Sequence, residues 1–454
     1  MEIVIVAIFI LGYLGIAFEH SIKVDKLIPA LAMMAILWAL IAVNHMDVFE
    51  IIPGIGKESH HVEGVLLHHL GKTAEILFFL MGAMTIVEII DYFDGFSTIK
   101  TFIKTKSKTR LLWLFTTLAF VLSAIIDNLT ATIVLITILQ KIIKDKEIRL
   151  WFAGLIVIAA NAGGAWSPIG DVTTTMLWIA NKVTPASLIA HVLLPSIACY
   201  AIPSFIASRM KIFKGQIDGE LKEEELKSKH GATMFYLGLG GILFVPIFKT
   251  VTHLPPYVGM MLSLAIISAV AEYLSNNEFT VAGATSGHGV NEPQHSPVHK
   301  SLSKIEMPSI LFFLGILMAV AALESLGMLY EFAGVLEKGV PMLGTEHGTT
   351  TLSDLVVILL GFGSAVIDNV PLVAASIGMF SMGLDAPEWH FIAYSAGTGG
   401  SILVIGSAAG VVAMGMEKID FFWYLKKIGG LALIGFLAGC AVFIILRDFL
   451  LNAH

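Results

Sequence analysis

Residues 123–130 read SAIIDNLT, and residues 364–371 repeat the pattern as SAVIDNVP. In each copy a serine, an aspartate and an asparagine interrupt a long apolar run. An ionisable side chain at such a position in a membrane is costly unless it binds something. The two copies therefore predict two halves of one binding site.

The composition indicates a polytopic membrane protein. Of the 454 residues, 56% are hydrophobic and only 14% are charged, and the mean hydropathy is +0.83, values that exclude the soluble globular classes. Cys199 and Cys440 both lie in apolar runs, so the sequence has neither a disulfide framework nor a zinc spacing. The net charge of −7 carries little information, because in a membrane protein the side on which charges lie matters more than their sum.

The apolar stretches predict ten spanning helices, each close to the roughly 20 residues that a helix needs to cross a bilayer. We place them near residues 3–19, 27–43, 73–93, 150–180, 187–208, 233–250, 256–274, 307–329, 388–414 and 424–447. The first stretch has neither the basic residues nor the cleavage site of a targeting segment, so we interpret it as a span. The expected fold is an all-α polytopic membrane protein.

Two further apolar segments, 110–140 and 352–383, carry the Asp-Asn pairs at their midpoints. Basic residues flank the first segment on both sides, and the positive-inside tendency assigns both flanks to one face of the membrane. A segment that enters and leaves on one side is a re-entrant hairpin. Its tip needs protein or water around it, because lipid cannot satisfy free backbone groups. We expect Asp127 and Asn128 at this tip.

The loops predict how the chain is oriented and divided. With both segments as hairpins, 22 of the 28 Lys and Arg residues fall in inside loops, and both termini are predicted to lie outside. Residues 1–208 and 233–454 then form two repeats, each with five spans and one hairpin, and residues 209–232 form a cytoplasmic linker. Repeats with an odd number of spans are inverted relative to each other, as in many secondary transporters.

A glycine-interrupted span follows each hairpin, at 150–180 and at 388–414. A glycine pair followed by Ile-Gly recurs at the same spacing, at 163–170 and at 399–406, which predicts two helices broken at mid-membrane. Broken helices leave free carbonyl groups and half-helix ends that bind small ions.

These interruptions supply the oxygen ligands that a hard cation prefers. The expected donors are Asp127, Asn128, Thr130, Asn161, Ser167, Asp171 and Thr173 in the first half and Asp368, Asn369, Ser401 and Ser407 in the second. A carboxylate binds a cation only when it is deprotonated, so a proton and a cation compete for one position. Such competition predicts an exchange of protons for cations.

The paired Asp-Asn hairpins and the Gly-Gly-x-x-x-x-Ile-Gly breaks resemble those of NhaD-type sodium/proton antiporters of the ion transporter superfamily, in order and spacing over most of the chain. The resemblance implies export of Na⁺, and also Li⁺, in exchange for H⁺ across a bacterial inner membrane. It implies alternating access by a homodimer in membrane lipid, with no cofactor beyond the transported ions.

The resemblance also implies which residues handle Na⁺ and H⁺. Carried over to matching positions, these are Asp127, Asn128, Asn161, Asp171, Thr173, Thr174, Ser364, Asp368, Asn369 and Ser401. The expected Na⁺ ligands are Asp127, Asn128, Asp171, Asp368 and Asn369. The second half has Ser407 where the first has Asp171, and it has no residue that matches Thr130. The first half is therefore expected to be the better cation site.

Other functions stay open at this point. The same superfamily fold serves sodium-coupled uptake of dicarboxylates or other anions, and a comparable architecture serves arsenite efflux. An anion carrier is expected to have neutral or positive groups at the hairpin tips, to avoid like-charge repulsion, whereas both tips here carry aspartate. An enzyme or a channel finds less support, because the sequence has no nucleophile with a partner histidine and no selectivity-filter motif. Small inorganic cations, and no nucleic acid, are the expected partners.

Overall fold

The computed structural model describes residues 1–17, 19–52, 56–217, 230–283, 296–329, 331, 352–366, 368–380 and 382–451. The helices of the first half are α1 (Glu2–Ala17), α2 (Glu19–Ile22), α3 (Leu27–Val43), α4 (Val62–Tyr92), α5 (Lys108–Ile126), α6 (Asn128–Ile142), α7 (Lys146–Ala165), α8 (Val172–Ile179) and α9 (Pro185–Arg209). Those of the second half are α10 (Gly231–Thr252), α11 (Pro256–Gly283), α12 (Pro297–Leu302), α13 (Met307–Ser325), α14 (Asp354–Val366), α15 (Asn369–Met379), α16 (Pro387–Gly399), α17 (Ala408–Glu417), α18 (Phe421–Tyr424) and α19 (Gly430–Leu446).

The prediction of a helical membrane protein is confirmed. Eight helices in the described part of the chain are long and apolar enough to cross a membrane, since about 20 residues at 1.5 Å each span the hydrocarbon core. These segments are Val62–Tyr92, Lys108–Ile126, Lys146–Ala165, Pro185–Arg209, Gly231–Thr252, Pro256–Ser275, Met307–Ser325 and Phe421–Phe449. Two strands, β1 (Val48–Ile52) and β2 (Gly56–His60), form an antiparallel pair between α3 and α4, which the sequence analysis did not predict.

Most helices begin and end within a few residues of the predicted spans, but α4 starts well before residue 73. Its added first turns alternate between buried and exposed apolar residues, with Val65 buried while Leu67 and Leu70 are exposed. An amphipathic helix would have polar residues on its exposed face, so these leucines continue the apolar character of the span. The apolar run at 73–93 marks only the most hydrophobic part of a longer helix.

Helices α5 and α6 lie within the first predicted hairpin and pack against each other, joined only by Asp127. Asp127 adopts φ 84° and ψ 158°, a conformation that non-glycine residues rarely adopt and that costs about 1–3 kcal/mol. In the second predicted hairpin, α14 and α15 also contact each other, and Asp368 precedes α15 with φ −46° and ψ 139°. The face of the membrane from which each hairpin enters stays a prediction.

Both predicted breaks are present as interruptions between consecutive helices, 166–171 between α7 and α8 and 400–407 between α16 and α17. Glycines bring each broken helix against its hairpin. A Cβ at Gly163 would overlap the carbonyl oxygen of Phe120 in α5, and one at Gly399 would overlap the carbonyl oxygen of Gly361 in α14. The two halves therefore use the same backbone contact to place a break beside a hairpin.

A matching hydrogen bond supports this correspondence. The Ser123 hydroxyl donates to the carbonyl of Ala160 at 2.5 Å, and the Ser364 hydroxyl donates to the carbonyl of Ala396 at 2.7 Å. The elements of the two halves also interlock, because α6 packs against α17 and α8 packs against α15. The breaks and the hairpin tips thereby meet inside the protein.

We expect Gly163→Ala to lower the free energy of unfolding by about 1–3 kcal/mol, because the added methyl group collides with backbone atoms that cannot rotate away. The measurement is the melting temperature of the purified protein in detergent. Gly415→Ala in α17 is the matched control, since its methyl group would meet nothing within 4 Å. A Gly163→Ala protein as stable as this control would contradict the close approach of α5 and α7.

Candidate functional site

The two hairpin tips and the first break face one space, here called the central cavity. It contains about 960 Å³ that no protein atom occupies. Its charged lining residues are Lys26, Asp127, Asp171 and Asp368. Three carboxylates face a single ammonium group, so the lining has a net charge of −2 if all four are ionised. Such a cavity attracts cations.

Asp127 connects the two helices of the first hairpin and caps the start of α6. Its carboxylate accepts hydrogen bonds from the Thr130 backbone N–H at 2.7 Å and from the Thr130 hydroxyl at 2.8 Å. Among the described residues, no Lys or Arg lies within 4.0 Å of this carboxylate. A carboxylate has about four acceptor positions, so these two bonds leave room for a ligand.

Asp171 lies at the start of α8 and links the two halves of the protein. It is buried, and its carboxylate accepts a hydrogen bond from the Asn369 side chain at 2.9 Å. The Thr174 hydroxyl donates to the Asp171 carbonyl at 2.9 Å and so fixes the turn that precedes α8. Thr173 is fully buried beside Asp171.

Asn161 is the centre of a second polar network. Its carbonyl oxygen accepts from the Asn128 amide at 3.0 Å, and its own amide donates to the hydroxyls of Ser401 at 2.9 Å and Ser407 at 2.8 Å. Asn161 itself is fully buried. This network joins the first hairpin, α7 and the second break, and it therefore connects the two halves of the protein.

Asp368 has a basic partner. The Lys26 ammonium lies 3.2 Å from the Asp368 carboxylate and 4.5 Å from the centre of the Phe312 ring. Lys26 is one of the 22 basic residues that are predicted to lie in inside loops, and it was not among the predicted site residues. A single sequence gives no signal for this contact, because 342 positions separate the two residues.

The predicted site residues therefore fall into two groups. Those that line the central cavity are Asp127, Asn128, Thr130, Asp171, Asp368 and Asn369. Those that do not line it are Asn161, Ser167, Thr173, Thr174, Ser364, Ser401 and Ser407. Most of the second group bond to the backbone or to each other, and Ser407 lines a neighbouring cavity that also contains Lys26 and Asp368.

The donors that line the central cavity are of the kind that hard cations prefer. The described residues contain no group of three or more His, Cys, Asp or Glu side chains that could hold a metal ion. The central cavity instead combines separate carboxylates with amide and hydroxyl oxygens, which are ligands for hard cations.

Known transporters are similar to this chain over most of its length. Residues 13–391 match the CitMHS family, which is described as a citrate transporter. "Sodium/proton antiporter 1" of Arabidopsis thaliana is 39% identical over 98% of this chain and 73% of its own length, and "Sodium/proton antiporter 2" of the same plant is 37% identical over 97% and 99%. The "Na(+)/H(+) antiporter NhaD" of Alkalimonas amylolytica is 30% identical over 97% of this chain and 89% of its own length.

We expect Asn161→Ala to lower the free energy of unfolding by roughly 3 kcal/mol, because three buried hydrogen bonds of about 1 kcal/mol each are lost. Denaturation of the purified protein in detergent measures this change. Thr137→Ala in the neighbouring α6 is the control, since its hydroxyl makes only an exposed bond within its own helix. Equal stability of the two variants would show that the network does not hold the halves together.

Proposed function

The chain belongs to the CitMHS citrate-transporter family, and within this family we propose that it exchanges Na⁺, and also Li⁺, for H⁺ by alternating access. The proposal depends mainly on one observation: three carboxylates and only one ammonium group are the charged groups that line the cavity between the hairpin tips and the first break. Such a lining favours a small cation over an anion. The sodium/proton antiporters that share 30–39% of their residues with this chain support the same activity.

The exchange follows from the properties of a buried carboxylate. Asp127 and Asp171 have no basic partner within 4.0 Å among the described residues, and an isolated charge in a membrane interior is costly. Either a cation or a proton at the carboxylate removes this cost. Because only the deprotonated form binds a cation, the two ions replace each other at one position. When the protein opens this carboxylate site first to one side of the membrane and then to the other, the movement of Na⁺ in one direction is coupled to the movement of H⁺ in the other.

We also propose a cellular setting. The protein is a multi-pass membrane protein, and its bacterial relatives named NhaD support a place in a bacterial inner membrane. The distribution of basic residues supports both termini outside and the two repeats in inverted orientation. The resemblance to NhaD-type antiporters supports a homodimer.

In everted membrane vesicles that hold a proton gradient, we expect Na⁺ and Li⁺ to dissipate the gradient and Asp127→Asn to abolish this response. Asparagine caps a helix as well as aspartate does, so the variant removes the negative charge and retains the turn. The fluorescence of a pH-gradient probe reports the exchange. Asp145→Asn is the control, because Asp145 caps α7 in the same way but lies outside the cavity.

Two results would contradict the proposal. Normal exchange by Asp127→Asn would show that Asp127 only caps α6 and does not bind the transported ions. A response to succinate or citrate without any response to Na⁺ would indicate an anion carrier, the activity that the name of the family suggests.

The Na⁺ concentration that gives half-maximal exchange is expected to fall as pH rises, by up to about tenfold per pH unit, because each cation displaces one proton. The same vesicles, equilibrated at several pH values, provide the measurement. Asp171→Asn should weaken this dependence, since one competing carboxylate is removed. A half-maximal concentration that is independent of pH in the unmodified protein would exclude direct competition.

A further inference from the structure

We propose that Lys26 is a tethered competitor of the transported cation: its ammonium group occupies the Asp368 part of the central cavity, and Na⁺ binds with full affinity only when Lys26 leaves. The inference rests on the proposed function and adds a residue that sets the affinity for the cation. Its basis is the ion pair in which the Lys26 Nζ atom lies 3.2 Å from the Asp368 Oδ2 atom.

Lys26 is positioned to leave. It lies immediately before α3, which begins at Leu27, in the segment that connects α2 to α3. Its side chain is 29% exposed, and that of Asp368 is 16% exposed. A lysine ammonium on a flexible four-carbon chain can therefore move between this carboxylate and the solvent-accessible part of the cavity.

Three other ion pairs join distant positions in the described part of the chain. Lys304 and Asp91 lie 3.8 Å apart and are both exposed, whereas the two arginine pairs are built differently. Arg447 binds both carboxylate oxygens of Asp354, at 2.5 and 2.8 Å. Arg149 contacts both oxygens of Glu417 at 3.1 Å and also donates to two backbone carbonyls. Multiple bonds of this kind fix a guanidinium, whereas a lysine binds as a point charge. The two pairs with several bonds contain arginine, whereas Asp368 is paired with a lysine through one contact.

The sequence repeat explains why the competitor is found in only one half. In the first half the Thr130 hydroxyl donates to Asp127. The second half has Pro371 at the matching position, which has neither a hydroxyl nor a backbone N–H. Among the described residues of its own hairpin, Asp368 accepts only a long backbone bond of 3.4 Å from Val370. The Lys26 ammonium supplies the missing donor, so a tethered cation takes the place of the threonine.

The pair also lies at a boundary. Lys26 and Asp368 line both the central cavity and the neighbouring cavity, which is lined by α1 and α17 and contains about 580 Å³ of empty space. Phe312, whose ring faces the ammonium, belongs to the central cavity alone. Movement of the Lys26 side chain would therefore change the charge and the space available on both sides of Asp368.

The test is Na⁺ binding to the purified full-length protein, measured as the rise in melting temperature when NaCl replaces choline chloride. Lys26→Gln removes the charge and keeps a hydrogen-bond donor. We expect this variant to bind Na⁺ about tenfold more tightly. A neighbouring positive charge weakens the binding of a cation to a carboxylate by about this factor or more, and the variant lacks that charge. Lys23→Gln removes an exposed charge in the same segment and should bind Na⁺ as the unmodified protein does.

A second variant keeps the inference testable if Lys26→Gln does not fold. Lys26→Arg retains the charge and can hold Asp368 by two bonds, so its half-saturating Na⁺ concentration is expected to rise by about tenfold. In a protein that also carries Asp368→Asn, exchanging Lys26 for Gln should no longer improve Na⁺ binding, since the shared partner is gone.

The outcomes separate this inference from the proposed function. If Na⁺ stabilises the unmodified protein, and Lys26→Gln and Lys26→Arg bind Na⁺ with unchanged affinity, Lys26 is a structural partner and the inference is wrong, while the proposed function stands. If Na⁺ does not stabilise the unmodified protein at all, the proposed cation site itself fails.

Discussion

The structure depends on keeping three carboxylates inside an apolar protein. Moving an ion out of water costs several kcal/mol even after the surroundings relax. Each aspartate is stabilised in a different way: Asp127 by the start of α6 and a threonine hydroxyl, Asp171 by an asparagine of the other half, and Asp368 by a lysine. None of these arrangements fully neutralises the cavity, and the remaining negative charge is what a transported cation or proton can satisfy.

This constraint accounts for the backbone architecture around the cavity. Helix starts provide unpaired N–H groups for a carboxylate, but only if the chain is interrupted inside the protein. The hairpin tips and the breaks supply these interruptions. The glycines at 163 and 399 let each broken helix approach its hairpin at backbone distance, which is what brings four interruptions into one small region. Packing and chemistry are thus coupled: a larger residue at either glycine would move the ligands as well as the helices.

Much of this arrangement could be predicted from the sequence, because hydropathy and repetition are local signals. The spans, the two motif copies and the glycine breaks all follow from such patterns. The roles of individual polar residues do not, since a serine that ligates an ion and a serine that bonds a carbonyl have the same side chain. Ser401 was assigned to the ion site from its residue type, and Ser364 from the resemblance to NhaD-type antiporters. In the structure Ser364 donates to the Ala396 carbonyl and Ser401 accepts from Asn161. Lys26 was missed because the positive-inside tendency already explained a lysine at the end of a span.

The two halves differ in how their carboxylates are stabilised. A duplicated motif would by itself create two equivalent sites, each with an aspartate and an asparagine at a hairpin tip. The replacement of Thr130 by Pro371 at the matching position, and the presence of Ser407 where the first half has Asp171, remove that equivalence. The first half keeps two carboxylates that lack a basic partner among the described residues, and the second keeps one carboxylate that is paired with Lys26. While Lys26 is paired with Asp368, the negative charge that is left for mobile ions is concentrated at Asp127 and Asp171, on the side of the cavity where the first hairpin meets the first break.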